Sequence, residues 1–386
     1  MSYNQRRFLI LVVIVSISGF SQGMLLPLIS VIFEGDGVSS TLNGLNATGL
    51  YIGTLLISPF IEQPLRKYGY KPIIVFGGAI VFLSLFLFPF WKSITFWFIL
   101  RLLIGVGDHG LHFATQTWIT SSTPQHKLGK SMSIYGISFG LGFAVGPLLV
   151  PLVEISESLP FIVSSALCLV AWSLVFFVKN EKPEALKGDA NQTGMARYKL
   201  AIKYGWVAFL PPLVYGFLES SLNALYPVYA LRKGFDLAFV SIILASFSVG
   251  AITMQLPLGL LGDRIGRKKV IIGGLFAGGS FFIVGNLLES SQILVAVSFF
   301  IAGMCAGSMF SLGITYMADL TPKELLPSGN LLCGIFFSLG SLSGPFLGGL
   351  YLQILPKGGF LLFVSFILIG VAAVVLLFGK NRVAIT

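Results

Sequence analysis

GVGDHGLHFATQTWITSSTPQHKLGKSMSIYGISFGLGFAVGP, residues 105–147, has a counterpart later in the same chain, GMCAGSMFSLGITYMADLTPKELLPSGNLLCGIFFSLGSLSGP, residues 303–345. Laid over one another without a gap, 105 on 303, the two stretches bring Gly105, Thr123, Pro124, Gly136, Gly142, Gly146 and Pro147 onto Gly303, Thr321, Pro322, Gly334, Gly340, Gly344 and Pro345. Glycines and prolines restrict backbone geometry, so their agreement in one register marks a repeated folding unit. The chain is built from two related halves.

Working outward from each copy, the sequence is apolar. The 386 residues are 55% hydrophobic and 10% charged, with 45 glycines and 35 phenylalanines, a balance foreign to a soluble domain of this size. Runs of about 20 apolar residues, the length that crosses a bilayer as a helix, recur twelve times, near 8–33, 43–64, 72–91, 94–119, 130–152, 159–178, 204–230, 237–260, 269–288, 291–317, 327–352 and 358–379. The first run lacks a small-residue cleavage site and is expected to remain as a span. The expected fold is therefore an all-α polytopic membrane protein, with twelve transmembrane helices in two pseudo-symmetric six-helix halves, 1–178 and 204–386. Between them KNEKPEALKGDANQTGMARYK, residues 179–199, is rich in charge and turn formers and reads as part of a cytoplasmic linker over 179–203.

The formal charge of +10 reflects topology. Most basic residues, among them Arg6, Arg7, Arg66, Lys67, Lys71, Lys179, Lys187, Arg264, Lys268, Lys323 and Arg382, fall in alternate loops, while the opposite loops hold Lys92, Arg232, Lys233 and Lys357. The positive-inside rule then places both termini in the cytoplasm of a multi-pass cell-membrane protein, and nucleic acid loses its support as a partner. Cys168, Cys305 and Cys333 lie in apolar runs without metal-ligand spacing and imply neither a disulfide framework nor a zinc site.

Of the fifteen acidic residues, Asp108 and Glu219 fall well inside predicted spans, where ionisable groups are costly and generally functional. Arg101, Gly105, Asp108 and His112 follow at helical spacing and share one face of the fourth span. The expected roles are a proton bound and released by Asp108, tuned by His112 one turn away and charge-compensated by Arg101. The alternative is a static ion network, and His109, off the stripe, is expected to be structural. Glu219 lies in YGFLESSLNALYP with Tyr215 and Asn223 one turn to either side. Further cavity candidates are Ser21, Gln22, Met24, Gln116, Tyr226, Met304, Met309 and Tyr316, a sparse polarity on soft apolar surface that suits amphipathic or hydrophobic cargo. A metal site or membrane enzyme built on Asp108-His109-x-x-His112 is disfavoured, because adjacent helical residues project about 100° apart and no further His or Cys completes a shell. No nucleotide loop or Ser-His-Asp set appears, so no enzyme activity and no cofactor are expected.

GLLGDRIGRKK, residues 259–269, closely resembles the loop signature of the major facilitator superfamily, Gly-x-Leu-x-Asp-Arg-x-Gly-Arg-Arg/Lys, through Gly259, Leu261, Asp263, Arg264, Gly266, Arg267 and Lys268. The resemblance implies a cytoplasmic gate loop whose aspartate bonds helix N-terminal amides and basic side chains. The first half departs from the pattern: EQPLRKYGYK, residues 62–71, keeps Gly69 and Lys71 but places Arg66 where the family usually has aspartate. Arg101-x-x-x-Gly105-x-Gly107 is similar to the family's arginine motif on the fourth span. GFAVGP, with Gly142, Gly146 and Pro147, resembles in part the Gly-Pro signature of the exporter branch; the full GPFLGG form, with Gly344 and Pro345, stands on span eleven.

The resemblance implies a secondary transporter working by alternating access, with spans four and seven lining a central cavity and the substrate near the midplane between the halves. The reading is proton-coupled export of a small amphipathic or hydrophobic compound by a monomer in the lipid bilayer, driven by the proton gradient. Its rival is an uptake symporter or facilitator for a small nutrient.

Overall fold

The computed structural model describes residues 3–123, 125–182, 194–322, 325–355 and 358–380. Residues 183–193 of the expected linker lie outside them, as do Lys187, Lys323, Lys357 and Arg382 of the charge argument. The described residues are helical throughout, joined by short turns.

The chain forms two compact units, Met1–Leu186 and Lys187–Thr386. The first holds α1 (Tyr3–Gly35), α2 (Ser40–Ile57), α3 (Glu62–Tyr68), α4 (Tyr70–Leu87), α5 (Ile94–Ser122), α6 (Gln125–Val145) and α7 (Leu159–Ser173). The second holds α8 (Gly194–Gly205), α9 (Leu210–Arg232), α10 (Leu237–Ile265), α11 (Arg267–Leu287), α12 (Gln292–Ala306), α13 (Met309–Leu320), α14 (Leu326–Ile354) and α15 (Phe360–Phe378). In the first unit α1 packs along α6, α5 lies against both α2 and α4, and α7 covers α4. In the second α9 packs along α14, α12 lies against both α10 and α11, and α15 covers α11.

The repeated glycines explain why both halves choose the same pairs. A Cβ on Gly142 would lie 1.8 Å from the Ser16 carbonyl oxygen, and one on Gly340 1.8 Å from that of Leu213. At Gly105 the distance to the Leu50 oxygen would be 1.9 Å, and at Gly303 2.1 Å to that of Phe247. Helices meet backbone to backbone at these points, which in a membrane replaces the hydrophobic drive that lipid cannot supply.

Among the described residues, eleven helical segments are long and apolar enough to span a membrane; α2 is the expected span that falls short. It has 18 residues and buries Asn43, Asn46 and Thr48. The expected run 43–64 does not continue as one helix, because Pro59 has no amide to offer the Leu55 carbonyl, and the chain turns before α3. The helical segment of span seven runs from Tyr198 to Arg232; within it α9 begins at Leu210, where Pro211 and Pro212 suit a first helical turn, and α8, preceding it, occupies the end of the expected linker. Span five passes into a 3-10 segment, Gly146–Glu154, at the prolines 147 and 151. Span ten is interrupted between α12 and α13 at Gly307 and Ser308.

Candidate functional site

The polar stripe of α5 meets α1 and α6 inside the first unit. Asp108 is 6% exposed; its two carboxylate oxygens accept from the Ser18 hydroxyl and the Gln22 amide, both on α1. His112 lies one turn along, with Nε2 3.7 Å from Asp108 Oδ2 and 3.0 Å from Ser18 Oγ. Its other nitrogen, Nδ1, is 2.7 Å from the Tyr135 hydroxyl on α6. Tyr135, His112, Ser18, Asp108 and Gln22 thus form one hydrogen-bonded chain across three helices. Each link joins groups able to exchange a proton or reorient a donor.

A small cavity of about 20 Å3 adjoins Asp108 and Ser18, lined also by Gly78, Leu111, Cys168 and Trp172. That is room for one water, with a carboxylate and a hydroxyl to hold it. Asp108 therefore faces α1, α4 and α7 of its own unit.

Arg101 does not join this chain. Two helical turns put it about 10 Å along the axis from Asp108, and its fully buried guanidinium donates to the Leu25 carbonyl at 3.5 Å. Its Nε and Nη1 meet no hydrogen-bond partner, so the expected charge compensation of Asp108 is not made. His109 points elsewhere, its Nε2 3.1 Å from Ser58 Oγ beyond the end of α2. The two histidines diverge as the helical wheel requires, and no group of three or more metal-ligating side chains occurs among the described residues.

On α9, Glu219 is partly buried, with the Tyr215 hydroxyl facing its carboxyl. Asn223 does not join it; its amide donates to the Glu219 backbone carbonyl at 2.8 Å. Met24, Met309, Tyr226 and Tyr316 are each at most 1% exposed and line no open surface. Tyr226 packs on Phe299, ring centroids 4.6 Å apart, and the Tyr316 hydroxyl donates to the Lys380 carbonyl at 2.7 Å. Ser21 is buried as well, whereas Gln22 and Met304 are partly exposed and Gln116 is exposed. Sequence reasoning missed Ser18 and Tyr135. Ser18 precedes Gln22 by one turn on the same face and could have been found; Tyr135 depends on how α6 packs on α5.

The signature loop forms a latch. Gly266, at φ 94° between α10 and α11, adopts a conformation that other residues resist. Just after it, Arg267 donates to Asp263 at 2.7 Å, to the Thr315 carbonyl at 3.2 Å and to Asp319 of α13. Lys268 donates to the Gly379 carbonyl at 2.7 Å, while Arg264 and Gly259 project from the surface of the unit or meet open space. The corresponding turn of the first unit has the same shape, with Gly69 at φ 96°. The two Gly-Pro pairs differ: Pro147 opens the 3-10 segment, whereas Pro345 lies inside α14.

The sequence profile of the Major Facilitator Superfamily matches residues 11–240 and again residues 212–385. The chain belongs to the Major Facilitator Superfamily. Within the superfamily it is 54% identical over 359 residues to the MFS-type transporter YfkF of Bacillus subtilis (strain 168), covering 93% of this chain and 92% of that one. It is 25% identical to Multidrug resistance protein 1 of the same organism, over 86% of each chain. Among solved structures, the D-xylose-proton symporter superposes with a TM-score of 0.80 at 13% identity, covering 99% of both chains. This superfamily member is a multi-pass membrane transporter.

Proposed function

We propose that this transporter exports a small amphipathic or hydrophobic compound in exchange for protons, by alternating access of its two halves. The observation that carries the reading is the Asp108 carboxylate, buried in a membrane helix and held by neutral Ser18 and Gln22, with His112 at 3.7 Å to answer its charge. A carboxylate so placed must be neutralised or paired whenever no water reaches it, and a proton is the smallest group that can do so. The water-sized cavity and the His112–Tyr135 bond offer two routes for that proton. Glu219, beside Tyr215, is read as the group that orients cargo. Arg101, with two free donors in the interior, is read as an electrostatic partner for an anionic or carbonyl-bearing group. Export is supported by the partial Gly-Pro signature and the likeness to a multidrug resistance protein. The weight of basic loops supports cytoplasmic termini in the cell membrane, and the presence of both six-helix units in one chain supports action as a monomer.

The test is Asp108→Asn set against Glu219→Gln. The Asp108 variant is expected to keep its fold and its cargo binding yet lose the pH dependence of flux, while the Glu219 variant changes cargo preference and keeps the pH profile. A pH profile unchanged by Asp108→Asn defeats proton coupling at this site. Counterflow in proteoliposomes under an imposed pH gradient decides direction: cargo moving against the proton is export by exchange, and cargo moving with it is the uptake symport.

A further inference from the structure

The first unit lacks the charged latch that its counterpart carries, and a different part of the chain stands in its place. Where the second unit has Asp263, Arg267 and Asp319, the first has Arg66, Tyr70 and Ser121. The Tyr70 hydroxyl lies 3.0 Å from Ser121 Oγ, a neutral contact of roughly half the strength of a charge-assisted one.

The strand of chain leaving the last helical turn of this unit closes the gap. Asn180 Nδ2 donates to the Tyr68 carbonyl at 2.8 Å, and its Oδ1 accepts from the Lys71 amide at 3.1 Å. The Tyr70 amide donates to the Glu181 carbonyl at 3.0 Å. Gly69 is needed for this approach, since a Cβ there would lie 2.5 Å from Asn180 Oδ1. The Glu181 carboxylate completes the strap. One oxygen accepts from Arg7 of α1 and the other from Trp118 Nε1 of α5, at 2.8 Å. Trp118 in turn stacks on Tyr70, centroids 5.2 Å apart at 12°, and Arg7 lies over the Trp118 ring at 5.5 Å. Arg7 is 6% exposed and Trp118 fully buried, so the guanidinium needs a counter-charge and the indole an acceptor. Glu181 supplies both. Beneath it lies a core that includes Leu11, Leu65, Ala114 and Val178.

We propose that Glu181 is the positioning residue of the first half's latch: it brings from the linker the carboxylate that the α3–α4 turn lacks, and clips α1 to α5 over that turn. The linker's first residues are therefore part of the moving machinery and not a tether. This inference depends on neither the cargo, the direction nor the coupling ion.

The test uses a single-cysteine reporter, Ala114→Cys, with Cys168, Cys305 and Cys333 replaced by alanine, reconstituted in lipid nanodiscs and labelled with a charged maleimide. Ala114 is fully buried under the strap, so labelling reports opening of this end. Glu181→Gln is expected to label about tenfold faster, the effect of losing one charge-assisted hydrogen bond on an opening equilibrium. Arg7→Gln is expected to do the same, and the double variant to label more slowly than the product of the two effects, because both break the shared Arg7–Glu181 contact. Rebuilding the second unit's latch as R66D/Y70R/S121D in the Glu181→Gln background is expected to restore slow labelling. Unchanged labelling in Glu181→Gln, additive effects in the double variant, or fast labelling in a rebuilt protein that keeps its thermal transition would each overturn the proposal.

Discussion

Two glycines of one repeat make opposite demands. Gly142 meets the Ser16 backbone so closely that any Cβ must push α1 and α6 apart, whereas Gly136, earlier on α6, meets nothing within 4 Å. Gly142→Ala is expected to destabilise the protein by about 1–3 kcal/mol, the cost of forcing an extra carbon into a packed contact. Gly136→Ala is expected to be neutral or stabilising by up to about 1 kcal/mol, since alanine loses less backbone freedom in a helix. Thermal unfolding of the two variants in one detergent checks both. The sequence shows these glycines as equals, because a repeat records which residues recur and not what stands opposite each. Asp108 was legible for a related reason: a carboxylate in an apolar run stands out wherever it points. Its partners were less so, since Ser18 and Tyr135 are ordinary residues until α1 and α6 are laid against α5.

At the scale of elements, each unit closes the end opposite its latch with an ion pair, and the two pairs have reversed polarity. Between α4 and α5, Lys92 lies 2.8 Å from both Asp36 and Glu157; in the second unit, Glu289 lies 3.1 Å from Lys233 and accepts from the Tyr229 hydroxyl. Burial pulls the Lys92 ammonium down, but Asp36 and Glu157 outweigh it and hold its pKa above the ordinary lysine value. A raised folded-state pKa gives stability that is complete below the ordinary lysine value and lost as the pH climbs above it. Lys92→Met is therefore expected to lower stability by less than about 1 kcal/mol, as an exposed pair should, and by the same amount anywhere from about pH 6 to pH 9. Glu289→Ala is expected to cost about 1–3 kcal/mol, because it also deprives the buried Tyr229 hydroxyl of its carboxylate acceptor. Denaturation curves at several pH values separate the two.

At the scale of the molecule, the division between the compact units falls after Leu186 in the sequence, and the strap at Asn180 and Glu181 belongs to the first. A chain divided after Leu186 and produced as two co-expressed pieces is expected to retain a protected Ala114, while a first piece ending at Val178, without the strap, is expected to expose it. Maleimide labelling of Ala114→Cys in the two first pieces, one ending at Leu186 and one at Val178, gives the answer. Equal protection in both pieces would show that the linker's opening residues leave the first unit's core unaffected.

The architecture was determined by the sequence alone. Spans of sufficient length and apolarity can satisfy their backbone in lipid only as helices, and the aligned glycines and prolines dictate that one six-helix arrangement is used twice. The loop signature was legible for the same reason, since Asp263, Gly266 and Arg267 lie within one turn and its continuation, where local spacing suffices. Only the tertiary structure decided what each polar group answers to. Arg101 shares a face with Asp108, but rise along the axis keeps them apart, while Glu181, remote in sequence and outside every span, reaches Arg7 and Trp118 across three elements. Hydrogen bonds and ion pairs act over a few ångströms, and the contacts that bring such groups within that range are made by packing between helices, which no periodicity within a helix records.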